Sequence, residues 1–230
     1  MIDPIVSASE PILLAGGGDI DQADVTLART WAKRAVAADG GATALLQLGI
    51  TPEAVIGDFD SLSDATKAAL PADSLHHIAE QDSTDFDKCL RNISAPLILG
   101  LGFMGARVDH QLSVFNRLAA RPNIQCILIG REDVVFHAPP QLTLSLDIGT
   151  RVSLFPMTAV TGASTGLRWP IDGLEFAPAF RAGTSNEADA QTVTLSMDAP
   201  GMLVILPRNC LNAAVRAVLA ASTAPWNARA

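Results

Sequence analysis

The stretch "AVAADGGATALLQLGITPEAVIGDFDS", residues 35–61, decides the fold. "AVAA" is an unbroken apolar run that ends in Asp39 and two glycines, the pattern of a strand entering a turn. "ATALLQLG" has the apolar spacing of a helix. "AVIG" is a second short apolar run, and it ends in Asp58 and Asp60 on either side of Phe59. Strands without polar alternation, joined by helices, belong to a mostly parallel sheet covered on both faces.

Working outward, the same alternation extends from the N-terminal side to about residue 138. "PILLAGGG" (11–18) reads as a strand running into a glycine turn, and Asp21 caps a helix through "QADVTLARTWAKR". "TDFDKCLRNI" is helical, "PLILGLG" is a strand, "DHQLSVFNRLAAR" is a helix and "IQCILIG" is another strand. In the last of these helices Leu112, Phe115 and Leu118 form the expected buried stripe. The character changes at "HAPPQ" (137–141): "LTLSLDIGTRVSLFPM", "QTVTLSM" and "GMLVILP" follow, with period-two patterning or short β runs between Gly, Pro and Asp turns. The expectation is an α/β + β protein. Residues 1–138 form a mostly parallel α/β sandwich domain, and residues 139–230 an antiparallel β-sandwich domain ending in an alanine-rich helix and tail to which no function is assigned.

Composition narrows the class. Of 230 residues, 49% are apolar and 17% charged, so the chain has ample material for a core. A net charge of −8 argues against a nucleic-acid surface, which needs a basic patch. Cys89, Cys126 and Cys210 are widely spaced and form no C-x-x-C pair, which fits a reducing compartment better than a disulfide framework or a zinc site. "MIDPIVSASEP" lacks a basic n-region, and no apolar run reaches the roughly 20 residues of a bilayer span, so a cytoplasmic protein is expected.

Acidic and glycine residues recur just after the apolar runs, along the carboxyl edge where open α/β sheets bind ligands. Asp58 and Asp60 point the same way from an extended chain, and at about 4 Å and an effective dielectric near 20 they repel by roughly 4 kcal/mol. A cation removes that cost, and oxygen ligands without His or Cys suit magnesium; a solvated turn is the other reading. In "QDSTDFDK" (81–88) Thr84 caps a helix, with Asp87 completing an approximate capping box. Asp82 and Asp85 flank that cap, and Lys88 lies one turn in, from where it can reach back to a phosphate docked at the helix start. "GLGFMGARVDH" (100–110) follows a strand: its glycines allow close approach of an anion, and Arg107 offers a planar charge. Asp109 there is either a helix cap or a ligand-facing carboxylate, and His110 reads as a structural hydrogen-bonder. Neither the G-x-x-x-x-G-K-[ST] loop nor G-x-G-x-x-G is present, and the role of the Gly16–Gly18 turn is left open.

The order ADGG, GDFDS, QD-x-TDF-x-K and G-x-x-G-x-R-x-DH resembles the thiamine pyrophosphokinase family, and "TGLRWPIDG" with "GTSNE" continues the likeness into the β region, over about residues 12–207. The resemblance implies transfer of the pyrophosphoryl group of ATP to the thiamine hydroxyl, with Mg2+, in a homodimer whose thiamine site lies at the subunit interface. It implies that Asp58, Asp60 and Asp85 hold the metal. Asp39, Gln81, Asp82, Thr84, Lys88, Arg107 and Asp109 would surround the nucleotide, with Asp85, Asp109, Lys88 and Arg107 nearest the chemistry. Trp169 would stack on thiamine, with Ser185 and Asn186 as polar neighbours. Core packing for Trp169 and turn chemistry for Ser185 and Asn186 are the structural alternatives. Three other functions compete: a pyrophosphokinase for a different alcohol, a haloacid-dehalogenase-like phosphatase using D-x-D as nucleophile, and a non-catalytic nucleotide or thiamine sensor.

Overall fold

The computed structural model describes residues 3–105, 107–221 and 226. The chain divides into two compact units, Met1–Arg117 and Leu118–Ala230.

The first unit contains β1 (Val6–Ser7), β2 (Ile12–Ala15), α1 (Gln22–Ala28), β3 (Arg34–Ala38), α2 (Gly41–Gln47), β4 (Ala54–Gly57), α3 (Asp64–Ala68), β5 (Leu75–His77), α4 (Asp85–Asn92), β6 (Ile93–Ser94) and β7 (Ile98–Leu101). α5 (Val108–Ala120) begins in it. Within this unit β7-β2-β3-β4-β5 lie side by side, all parallel, and β1 pairs with β6. Successive strands step one way from β2 to β5, while β7 lies on the other side of β2. The order of the strands therefore reverses beside β2, and such a switch point opens a crevice at the carboxyl ends of its strands.

The apolar runs are unbroken because both faces are covered: every residue of β2 and β4 is buried. Local chemistry sets the helix starts. Asp21 accepts from the Asp24 N–H while the Asp24 side chain accepts from the Asp21 N–H, a reciprocal capping box. Ser63 and Thr84 cap α3 and α4 through their hydroxyls.

The second unit contains β8 (Cys126–Ile129), β9 (Asp133–His137), β10 (Gln141–Ser145), β11 (Arg151–Pro156), β12 (Gly162–Thr165), β13 (Gly183–Glu187), β14 (Thr192–Met197), β15 (Met202–Pro207) and α6 (Leu211–Ala221). Its strands form two antiparallel groups, β13-β11-β15-β9-β8 and β10-β14-β12. β10 and β14 keep the period-two pattern, burying Leu142, Leu144, Val193 and Leu195. α6 packs against β10 with Leu211, Ala214, Val215 and Val218 inward, spaced three and four apart. Strands β8 and β9, which composition groups with the α/β region, pair antiparallel with each other, and β9 pairs with β15 inside the second unit.

The structure corrects one expectation about α5. Val114 and Leu118 are its buried pair, whereas Leu112 is 59% exposed and shares its side of the helix with exposed Val108. Residues four apart lie on one face, so a helix with apolar residues on two faces leaves the choice between them to its surroundings. Among the described residues no helix is long and apolar enough to cross a membrane.

Candidate active site

The loops after β2, β3, β4 and β7 meet at the carboxyl edge of the parallel strands. Two of the turns are held in left-handed backbone by residues other than glycine, Asp39 at φ 41° and Phe59 at φ 63°. That conformation costs about 1–2 kcal/mol for a residue with a Cβ, so the surrounding contacts must hold it. The ring of Phe59 lies 5.4 Å from that of His77, the residue that pairs with Gly57 across β4 and β5. Gly57 permits a close approach between the acidic residues: a Cβ there would sit 2.9 Å from the Cβ of Asp39 and 3.2 Å from Asp85 Oδ1.

Asp39, Asp58 and Asp60 each present one carboxylate oxygen, all within 4.8 Å of one another. Asp39 is buried; its Oδ2 accepts from the Ser61 N–H at 3.1 Å, while its Oδ1 has no partner among the described residues. Burial raises its pKa to about 6; the Ser61 N–H opposes that rise, and neighbouring Asp60 and Asp85 add to it. The Ser61 hydroxyl donates to Asp60 Oδ1 at 2.8 Å, and the Asp60 N–H donates to Asp58 Oδ1 at 3.3 Å. The result is a compact group of acidic oxygens with one buried lone-pair site left open.

Lys88 rises from α4 beneath this group. Its side chain is 1% exposed, and its Nζ donates to Asp58 Oδ2 at 2.9 Å and Asp85 Oδ1 at 3.0 Å. Burial works against the ammonium, but the hydrogen bonds to the two carboxylates outweigh it and lift its pKa above the ordinary lysine value. The Lys88 hydrogen bond in turn holds Asp58 below the usual carboxylate range. Asp85 therefore reaches the acidic group through Lys88, and Asp39 takes the third corner beside Asp58 and Asp60.

A cavity of about 520 Å³ opens beside these residues, lined by Asp39, Asp85, Gly17, Phe103, Met104 and Arg107 among others. His110 also lines it, and Arg107 is exposed. Arg107 donates from Nη2 to Asp109 Oδ2 at 2.7 Å and from Nε to Oδ1 at 3.2 Å, a two-point pair. The Arg107 hydrogen bonds hold the Asp109 carboxyl down at about 2. Gln81 and Asp82 stand exposed ahead of α4 and do not line the cavity, and Thr84 is engaged as the cap. Phe103, Met104 and Ser61 were missed by sequence reading. Their signal is only their position two to four residues past the end of an apolar run.

In the second unit Trp169, Ser185 and Asn186 line one pocket of about 320 Å³ together with Phe176 and Arg181. Asn186 is buried and grips the Trp169 backbone at both ends: Oδ1 accepts from the Trp169 N–H at 3.2 Å, and Nδ2 donates to its carbonyl at 2.7 Å. The indole is 54% exposed, with the Arg168 guanidinium 5.1 Å from its centre and tethered to Glu187 at 3.3 Å. Ser185 sits at φ 62° with its N–H on the Ser153 hydroxyl.

A parallel α/β edge that gathers oxygen ligands, one buried lysine and a neighbouring cavity defines a protein of the phosphate-handling type, with an aromatic pocket on its β unit. Comparison with known proteins narrows this. "Thiamin pyrophosphokinase, catalytic domain" matches residues 26–128, and "Thiamin pyrophosphokinase, vitamin B1 binding domain" matches residues 141–202. Thiamine pyrophosphokinase 1 of Oryza sativa subsp. japonica is 27% identical, over 77% of this chain and 80% of the relative. Thiamine pyrophosphokinase of Bacillus subtilis is 28% identical, over 74% and 85%. The crystal structure of yeast thiamin pyrophosphokinase shares the fold, with a TM-score of 0.74 at 17% identity over 92% of this chain and 94% of that one. The chain belongs to the thiamine pyrophosphokinase family.

Proposed function

We propose that the chain is a thiamine diphosphokinase, which moves the pyrophosphoryl group of ATP to the hydroxyl of thiamine and yields thiamine diphosphate and AMP. The observation that carries this is the pair of matches, catalytic and vitamin B1 binding, laid in order along one chain. The thiamine hydroxyl oxygen forms a bond to the β-phosphorus, the bond from that phosphorus to the bridging oxygen of the α-phosphate breaks, and AMP departs. Such transfer asks the protein for alignment and charge neutralisation more than for covalent chemistry.

The residues present fit a divalent cation: the donors are all oxygens, and Asp39 Oδ1 is buried without a partner among the described residues. Asp58 and Asp60 would hold magnesium, with Asp39 at the third corner and Asp85 adjoining through Lys88. When bound, the ion supplies charge neutralisation for the phosphates. Lys88 keeps Asp58 ionised and holds Asp58 and Asp85 in place, and Arg107 offers its planar cation at the cavity wall. Asp109, held to Arg107 at a pKa of about 2, is a weak proton acceptor, so Asp85 is assigned the hydroxyl proton.

Trp169 takes the thiamine, held in position by Asn186, with Ser185 at the same pocket. Gln81, Asp82 and Thr84 complete the nucleotide side of the proposal. A homodimer with thiamine at the subunit interface, in a cytoplasmic setting that suits three free cysteines, completes it. A phosphatase with Asp58 as nucleophile fits poorly, since the Lys88 ammonium and the Asp60 backbone N–H engage that side chain.

The test is incubation with thiamine, ATP and magnesium, with thiamine diphosphate and AMP measured by chromatography. Equal yields of the two are expected, and their absence from well-folded protein would overturn the assignment. Asp58→Asn should lower turnover at least a hundredfold and weaken Mn2+ binding; unchanged Mn2+ affinity would remove Asp58 from the metal set.

A further inference from the structure

Among the described residues, three that carry a Cβ hold left-handed backbone: Asp39, Phe59 and Ser185. Asp39 belongs to the acidic group, Ser185 to the pocket beside Trp169, and Phe59 stands between Asp58 and Asp60. All three thus stand at the two candidate sites, and backbone in this region persists only where its surroundings hold it. Asp39 is fastened by its N–H to the Ile56 carbonyl at 3.1 Å, and Ser185 by its N–H to the Ser153 hydroxyl at 3.0 Å. At Phe59 the contact is the ring. Its centroid lies 5.4 Å from that of His77 with the two planes at 48°, inside the range of a favourable aromatic pair.

The turn at Phe59 decides how the two flanking carboxylates meet. β4 ends at Gly57, and the chain is left-handed at Phe59 before Asp60 is reached. Asp58 and Asp60 therefore come together through a turn, and not through the extended chain that their spacing suggests. Asp58 Oδ1 closes the turn by accepting the Asp60 N–H at 3.3 Å, while Asp58 Oδ2 accepts from Lys88 at 2.9 Å. Relaxing Phe59 to ordinary backbone would swing Asp60 away from Asp58 and Asp39. His77 is itself fixed by strand register: it pairs with Gly57 across β4 and β5, and the next N–H, of Ile78, donates to the Gly57 carbonyl at 2.8 Å. It supplies no ligand atom to the group of Asp39, Asp58 and Asp60. We infer that Phe59 and His77 are positioning residues for the cation: their ring pair holds the left-handed turn that brings Asp60 to Asp58 and Asp39. This rests on the metal set proposed above.

The experiment titrates the full chain with Mn2+, reads free Mn2+ by electron paramagnetic resonance, and records the melting temperature of each variant without metal. His77→Ala removes the platform and leaves every acidic residue in place; Mn2+ should bind about threefold to tenfold more weakly, the range of one aromatic pair expressed as affinity. His77 is exposed, so the melting temperature should stay within about 2 °C of wild type. His77→Phe keeps a ring without an imidazole and should bind Mn2+ within twofold of wild type. Phe59→Ala should lose at least as much affinity as His77→Ala, and Phe59→Gly should lose less than Phe59→Ala, because glycine takes left-handed backbone without a steric cost. Unchanged Mn2+ affinity in His77→Ala would overturn the inference, as would a loss in His77→Phe equal to that in His77→Ala, or a greater loss in Phe59→Gly than in Phe59→Ala. If Asp58→Asn weakens Mn2+ and His77→Ala does not, the metal set stands and the inference alone fails. A wild-type chain that binds no Mn2+ removes the metal set, and the inference falls with it.

Discussion

Lys88→Met removes a buried ammonium and leaves two carboxylates facing each other. Methionine has nearly the length of lysine and is flexible and apolar, so the change is chiefly one of charge. Asp58 and Asp85 each place an oxygen about 3 Å from Nζ, so those oxygens lie no more than about 6 Å apart, where two charges repel by about 3 kcal/mol at an effective dielectric near 20. Removing one partner of a fully buried pair costs about 3–5 kcal/mol. Here the two carboxylate side chains are 15% and 29% exposed, and water recovers part of that cost. The expected loss is about 3 kcal/mol of stability, or roughly 6–12 °C in melting temperature for a chain of this size. Urea unfolding followed by circular dichroism measures it, with and without 10 mM-range magnesium, which should recover more stability in the variant than in wild type. A loss below about 0.5 kcal/mol, the range of an ordinary surface substitution, would refute the claim that Lys88 holds the acidic group together.

Three further outcomes follow from other parts of the molecule. His137 is buried, accepts the Gly201 N–H on Nε2 at 2.7 Å, and burial lowers its pKa from 6.5 to about 4. The folded state thus takes up this proton later than the unfolded state as pH falls, so its contribution is intact above pH 6.5 and lost between 6.5 and 4, by up to about 3 kcal/mol. His137→Gln should flatten the urea midpoint across that window; an unchanged slope would exclude His137 as the titrating group. Trp169→Ala should raise the KM for thiamine about threefold to thirtyfold, the range of one aromatic–cation contact, and leave the KM for ATP alone. Asn186→Leu should lower stability by about 1–3 kcal/mol, since it leaves the Trp169 N–H and carbonyl without their partner, and thermal melts would register it.

Much of the fold can be read from short range. Unbroken apolar runs such as "ILLA" and "AVIG" announce parallel strands, because only a sheet covered on both faces buries every residue. Asp21 and Thr84 mark their helices for an equally local reason, since a cap needs only the residue three positions on. The acidic residues at strand ends follow from the same alternation, and so does their place along one edge of the sheet. The sequence by itself determined these features, together with the family likeness of its motifs.

Partnership was decided only by tertiary structure. Spacing put Lys88 one turn into α4, within reach of a phosphate at the helix start; the fold carries its ammonium to Asp58, thirty residues away, and buries it. Asp39 reads as one more acid after a strand until β3 and β4 pair and bring it beside Asp58 and Asp60. Leu112 has the spacing of a core residue and lies in the open, while Asn186, which reads as a turn residue, is buried to hold Trp169. Burial and hydrogen-bond partners depend on which strands become neighbours, and that is settled by contacts between distant residues that no local pattern encodes.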